Sequence, residues 1–221
     1  MKSNLFVITI GAAVLAAGSI GGCQSASIAM KENWFGIAKR EQLVARVEDA
    51  REGQEEAKNR FASALEEFQS LTGAPASELE GRYRKIKSEY ERCESAAGEV
   101  KDRIDSVETV GEKLFSEWRG EVDGMSDPSL KSLNDQQLRS TRVQYDRLVA
   151  AMSAAEGKMA PVLTAFKDRV TYLKGALNAQ AVASLNATLG QVQDDVARLI
   201  TEMNTSIAEA DEFIKQMKPA E

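Results

Sequence analysis

Two cysteines are the only thiols in this chain of 221 residues, and their surroundings differ. Cys23 follows Ile20-Gly21-Gly22, just beyond an apolar run from Leu5 to Ala17. A thiol there can be alkylated by a lipid, and cleavage before it frees an amino group for a further acyl chain. Cys93 lies between Tyr90 and Ala97 in a helical repeat of apolar residues, where a thiol is buried and inert. With one thiol consumed by lipid, no internal disulfide is expected. A second group of side chains is suited to binding. Arg82, Arg84, Lys85, Lys87, Lys167, Arg169 and Lys174 stand close to two predicted turns, against Glu78, Glu80, Glu89 and Asp168. This is either a solvated helical face or a contact patch for an anionic partner. On the second reading Arg82, Arg84, Lys85, Lys87, Arg169 and Lys174 are the partner-binding residues.

Other chemistry is excluded by what the chain lacks. It has no histidine, so His-based triads and dyads, His-ligated zinc and Glu-x-x-His di-iron sites are ruled out. Glu55-Glu56 and Asp194-Asp195 are adjacent and diverge on a helix, so neither is a catalytic pair. No Gly-rich phosphate loop, dinucleotide fingerprint or nucleophile elbow occurs. No catalytic residue, cofactor or metal is assigned. A net charge of −6 argues against a nucleic-acid or nucleotide partner.

Residues 1–22 carry a short basic start, an apolar stretch too short for a comfortable span, and small residues before Cys23. Ile20-Gly21-Gly22-Cys23 resembles a bacterial lipobox. The resemblance implies cleavage after Gly22 and acylation of Cys23, with enough chains for firm membrane attachment. Gln24 is not the aspartate that retains lipoproteins at the inner membrane, so the expected site is the periplasmic face of the outer membrane. Residues 23–38 form the lipidated tether.

The remainder follows one period. Apolar residues alternate at steps of four and three in four runs: Leu43 to Leu71, Leu79 to Trp118, Leu138 to Leu177 and Val182 to Met217. Gln54 is the only polar position in the first run, and the third shifts by one residue at Val170. Such a repeat predicts helices that supercoil around one another. Turn chemistry divides them at Thr72-Gly73-Ala74-Pro75, with Ser77 as a cap; at Gly120–Pro128, with Asp127 or Ser129; and more weakly at Leu177-Asn178-Ala179, with Asn178. The expected fold is all-α: an elongated antiparallel four-helix bundle over residues 39–218, about 65–70 Å long. The basic cluster then lies at the end away from the membrane. Pro161 should kink the third helix and free the Gly157 carbonyl, which Gln54 or a water is expected to satisfy. Trp34 and Phe35 rest at the membrane or cap the open end beside Phe115 and Trp118. Ile200, Ile207 and Ile214 widen the buried face of the last helix, or form an exposed surface for a partner or for self-association.

Several segments together resemble a family of bacterial envelope lipoproteins of unknown function. They are Lys39-Arg40-Glu41 with Leu43-Val44 and Arg46-Val47-Glu48; Arg103-Ile104 with Val107-Glu108; Leu114-Phe115 with Glu117-Trp118; Lys158-Met159 with Pro161-Val162-Leu163; and Leu173-Lys174 with Leu177-Asn178-Ala179-Gln180-Ala181. Gly175-Ala176 stands where members often have a His-Asn pair. Some members carry the label DNA-repair ATPase, which the acidic charge, the export signal and the missing phosphate loop do not support. The resemblance implies no known activity. The expected role is a lipid-anchored, non-enzymatic scaffold or adaptor, with an envelope protein or the cell wall as partner and oligomerisation open. The alternatives are a carrier that opens at Pro161 for an apolar ligand, and a regulatory subunit of a periplasmic enzyme.

Overall fold

The computed structural model describes the backbone of residues 24–71 and 74–218, and side chains from residue 39 over the same span. It comprises α1 (Gln24–Ser70), a 3₁₀ turn (Ala76–Glu78), α2 (Leu79–Gly124), α3 (Pro128–Gly175), α4 (Ala179–Asn186) and α5 (Leu189–Met217). No strand occurs among the described residues. The chain divides into a unit of Met1–Phe35 and a larger unit of Gly36–Glu221. The expected leader 1–22, Cys23, and the side chains of Trp34 and Phe35 lie outside the described residues. The larger unit is an all-α bundle.

Contacts between helices fix its topology. Arg103 of α2 donates to the Asp49 carbonyl of α1, and Lys39 of α1 pairs with Glu117 of α2. Arg142 of α3 grips Glu112 of α2 with two nitrogens, at 2.8 and 3.2 Å, and Arg119 meets Asp135. Arg51, Lys58 and Glu48 of α1 meet Asp211, Asn204 and Lys218 of the last helical segment and its end. In each pairing one number rises as the other falls, so the neighbours are antiparallel. Phe61 and Phe68 of α1 stack on Phe166 of α3 at 6.2 and 5.0 Å across the core, where the two helices run in parallel. The result is up-down-up-down, and the 46 residues of α2 span about 69 Å.

The heptad seams form the core. All nine positions from Leu43 to Leu71 are buried, Gln54 included. So are Ile86, Cys93, Val100, Val107 and Leu114 of α2, and Leu148, Met152, Met159, Phe166, Val170 and Leu173 of α3. The burial of Phe166, Val170 and Leu173 confirms the one-residue shift. Val192, Val196, Leu199, Met203, Ala210 and Phe213 complete the seam on α5. Ile200, Ile207 and Ile214 are half-buried, so that stripe widens the core-facing side and is not an exposed surface.

Several boundaries depart from the sequence reading. Ser77 lies inside the 3₁₀ turn and does not cap α2, whose first residue follows Glu78 without a side-chain cap. The second helix continues beyond Gly120 to Gly124, because glycine is tolerated in a helix interior that packing holds. Asp127 caps α3 by accepting from the Ser129 and Leu130 amides, with Pro128 in the first turn. Asn178 accepts from the Ala181 amide, so the break before α4 is a true turn. The fourth rod is interrupted at Ala187-Thr188. There the Thr188 amide and hydroxyl both donate to the Leu185 carbonyl. Asn186, Thr188 and Gly190 are weak helix formers, and such local hydrogen bonds compete with the helix.

Pro161 and Gly157 both face solvent, so Gln54 is not the partner of the freed carbonyl. Gln54 instead accepts from the Ser206 hydroxyl at 2.8 Å, wholly inside the core.

Candidate functional site

The basic cluster is assembled by the antiparallel pairing of α2 with α3. The register that joins Arg119 to Asp135 and Arg142 to Glu112 brings the first turns of α2 beside the last turns of α3. The sequence therefore placed Arg82, Arg84, Lys85, Lys87, Arg169 and Lys174 at one end correctly. Their surroundings differ. Arg82 pairs with Glu78 at 3.0 Å, Lys87 with Glu91 at 3.1 Å, and Arg84 with Glu80 at 4.0 Å. Each partner is one turn away on the same stretch of chain, so these cations are largely neutralised in place. Lys85 and Lys174 are exposed and have no ion pair among the described residues. Tyr172 stands 45% exposed between α3's last cations.

Arg169 is turned inward. Its guanidinium donates to the Ala165 carbonyl at 2.9 Å and to the Thr188 carbonyl and hydroxyl at 3.1 and 3.2 Å. Burial lowers its pKa, opposed by Asp168 and Asp195. All its bonded acceptors are neutral. Arg169 thus pins the α4–α5 junction to α3, and this fastening occupies a side chain that the spacing alone would assign to a partner. A half-buried arginine holding a helix break cannot be told from a surface arginine by heptad position.

A second constellation, which sequence reasoning missed, lies near the opposite end. Tyr145 of α3 is buried against Gly111 of α2, with its ring 5.1 Å from Phe115 and 6.3 Å from Phe213. Its hydroxyl points to the Val107 and Glu108 carbonyls. Burial and the nearby Glu112 carboxylate push the phenol up to about 12. Arg142 covers both rings, and its bond to Glu112 raises its own pKa further. Phe115 stacks on Trp118, and Arg40 lies 4.6 Å from the Trp118 centroid. The available signals were Gly111 at a core position of α2, Tyr145 at one of α3, and Phe115 with Trp118 expected at the same end. Nothing here holds a nucleophile beside a base, so the cluster is packing reinforced by cation–π contact.

Cys93 is buried, and its thiol is pushed up to about 12, chiefly by burial and next by Glu89. It is a core residue, as its heptad position implies. Among the described residues, no cluster of three or more acidic or cysteine side chains could hold a metal ion. No described helix is long and apolar enough to cross a membrane.

Residues 29–217 match the family described as "Protein of unknown function (DUF2959)", and the chain belongs to that family. No match was found among curated proteins.

Proposed function

We propose that this chain is a lipid-anchored, non-enzymatic rod on the periplasmic face of the outer membrane, acting as a scaffold or adaptor in the cell envelope. The observation that carries the reading is Ile20-Gly21-Gly22-Cys23 directly after an apolar leader. A bundle about 69 Å long along α2 supports it, because such a body suits reach better than catalysis. Acyl chains on Cys23 hold one end at the membrane. The far end presents Lys85, Lys174 and Tyr172, together with the internally paired Arg82, Arg84 and Lys87. The exposed Lys85, Lys174 and Tyr172 suit an acidic protein surface or the carboxylates of the cell wall. Carrier function is less favoured, because Met152, Ala155, Met159 and Val162 fill the seam around Pro161.

Photo-crosslinking in cells from Arg84 and Lys174, read by mass spectrometry, tests the adaptor role. A discrete crosslinked protein or wall fragment supports it and identifies the process. Crosslinks confined to the chain itself remove the distal tip from consideration.

A further inference from the structure

α5 stops short of its neighbours. Along its length it lies between α1 and α3: Arg51 and Lys58 of α1 bond to it, and Phe213 rests on Tyr145 of α3. It ends at Met217, and Lys218 bonds to Glu48 of α1. Lys39, farther toward this end, still pairs with Glu117 of α2, which runs on to Gly124, and α3 starts back from Pro128. Where α5 has ended, the groove between α1 and α3 opens into a cleft of about 540 Å³. Val44 and Arg40 line it from α1, Gln137 and Thr141 from α3, the buried Trp118 from α2, and Met217 at the α5 end. Leu130, Leu133, Gln137 and Thr141 recur at steps of three and four, so they share one side of α3. The cleft's α3 wall therefore carries on through Leu130 and Leu133, which are 55% and 64% exposed. From Thr141 to Pro128 this wall measures about 20 Å. Arg139 pairs with Asp135 on the side of α3 turned to Arg119 of α2, so it does not enter the wall.

We propose that this cleft docks an amphipathic helix of another protein, about three to four turns long, in line with α5. Continuity with α5's own interface identifies the occupant as a helix. The separation of α1 and α3 is set by the helix they already hold, so a second helix end to end with the first fits without parting them. A small-molecule site encloses most of its ligand. This cleft is open on its outer side, and a small ligand in it would leave Leu130 and Leu133 uncovered. A helix covers both, its apolar stripe meeting Val44, Trp118, Leu130 and Leu133. Charge adds a requirement. Lys218 is taken by Glu48, but the half-buried Arg40 lies over the Trp118 ring with no carboxylate partner among the described residues. The docked helix therefore carries an acidic side chain beside its apolar stripe, where it meets Arg40. The exposed Glu41 stands next to Arg40 in sequence and favours a basic group on the outer edge of the same helix. This surface lies at the opposite end of the bundle from Lys85 and Lys174, and it needs neither the anchor nor the tip.

Two experiments on the full chain test the proposal. The first extends the purified chain beyond Lys218 by about two heptads, with leucine at the seam positions and glutamate beside them, a helix of about 20 Å. This graft should raise the unfolding temperature above that of the same extension with serine for leucine. It should also shield Leu133→Cys from maleimide, while the buried Cys93 stays unreactive. The second places a photo-reactive residue at Leu133 or Gln137 in cells and maps the captured peptide by mass spectrometry. The expected peptide belongs to another protein, repeats apolar residues at steps of three and four, and carries an acidic residue beside them. Arg40→Glu should cut its capture about tenfold or more, and the exposed Ser95 of α2 should capture none of it. Equal behaviour of the leucine and serine extensions overturns the groove. Capture of a lipid, of a second copy, of the chain's own residues, of a segment without the apolar repeat, or of nothing overturns the partner. The graft reads the same whether or not Cys23 is acylated, so its failure is distinct from failure of the anchor.

Discussion

Gly111→Ala adds one methyl group at the tightest point between α2 and α3. The new Cβ would lie 2.4 Å from Cε2, Cζ and Oη of Tyr145, whereas an ordinary contact needs 3.4–4 Å. The ring must move by about 1 Å or more, yet Phe115 and Phe213 close it in and its hydroxyl lies over two carbonyls. Overpacking of this kind costs about 1–3 kcal/mol. Replacing a mid-helix glycine by alanine returns about 0.5–1 kcal/mol. The net expectation is destabilisation of about 1–2 kcal/mol. Gly98→Ala is the matched control: it lies on the same helix with nothing within 4 Å of the new atom. It should stabilise by about 0.5–1 kcal/mol, so the two variants should differ by about 2 kcal/mol. Urea unfolding followed by circular dichroism at one pH measures both. Tyr145→Phe should not rescue Gly111→Ala, because Cζ is as close as the hydroxyl, whereas Tyr145→Leu should recover part of the loss. Equal stabilisation by Gly111→Ala and Gly98→Ala would falsify the packing argument.

Three further outcomes follow from the core and the caps. Ser206→Ala leaves Gln54 buried without its hydroxyl donor and should cost about 1–3 kcal/mol, while pairing it with Gln54→Leu should recover most of the loss in a double-mutant cycle. The Cys93 thiol has an ordinary value of 9.0 and is held at about 12 in the folded chain. Above pH 9 the unfolded chain releases a proton that the folded chain keeps, so stability should fall by up to about 1.4 kcal/mol per pH unit. Tyr145 and Tyr90, both also raised to about 12, join from pH 10 upward. Cys93→Ala should therefore flatten the profile between pH 9 and 10 and leave the steeper fall above it. Asp127→Ala and Asn178→Ala each remove a cap and should each cost about 1 kcal/mol in thermal unfolding, against little change for Ser77→Ala.

The period of the apolar residues made the helices, their antiparallel order and nearly every core position legible, including the shift at Val170. Burial repeats every 3.5 residues in a supercoiled bundle, so the pattern carries that information directly. Asn178 was readable as a cap, and Asp127 as one of two candidates with Ser129, because a short polar side chain before a helix has one dominant use; Ser129 instead lies in the first turn, where its amide is capped by Asp127. The break at Thr188 was hidden: Leu185, Leu189 and Val192 keep the repeat in phase across it. Gln54 was legible as a buried polar residue, but its partner Ser206 was read as an ordinary seam position. Of the basic cluster where α2 begins and α3 ends, the sequence revealed its place and concealed its state. Carboxylates one turn away pair with Arg82, Arg84 and Lys87, and the junction claims Arg169, leaving Lys85 and Lys174 without an ion pair among the described residues.

The proposed anchor stands or falls on Cys23. Intact-mass analysis of the full chain purified from membranes, beside Cys23→Ser, tests it directly. The account predicts a protein starting at residue 23 and heavier by its acyl chains, and a Cys23→Ser chain that loses that added mass and leaves the acylated membrane fraction. An unmodified Cys23, or a Cys23→Ser chain of unchanged attachment, would contradict it.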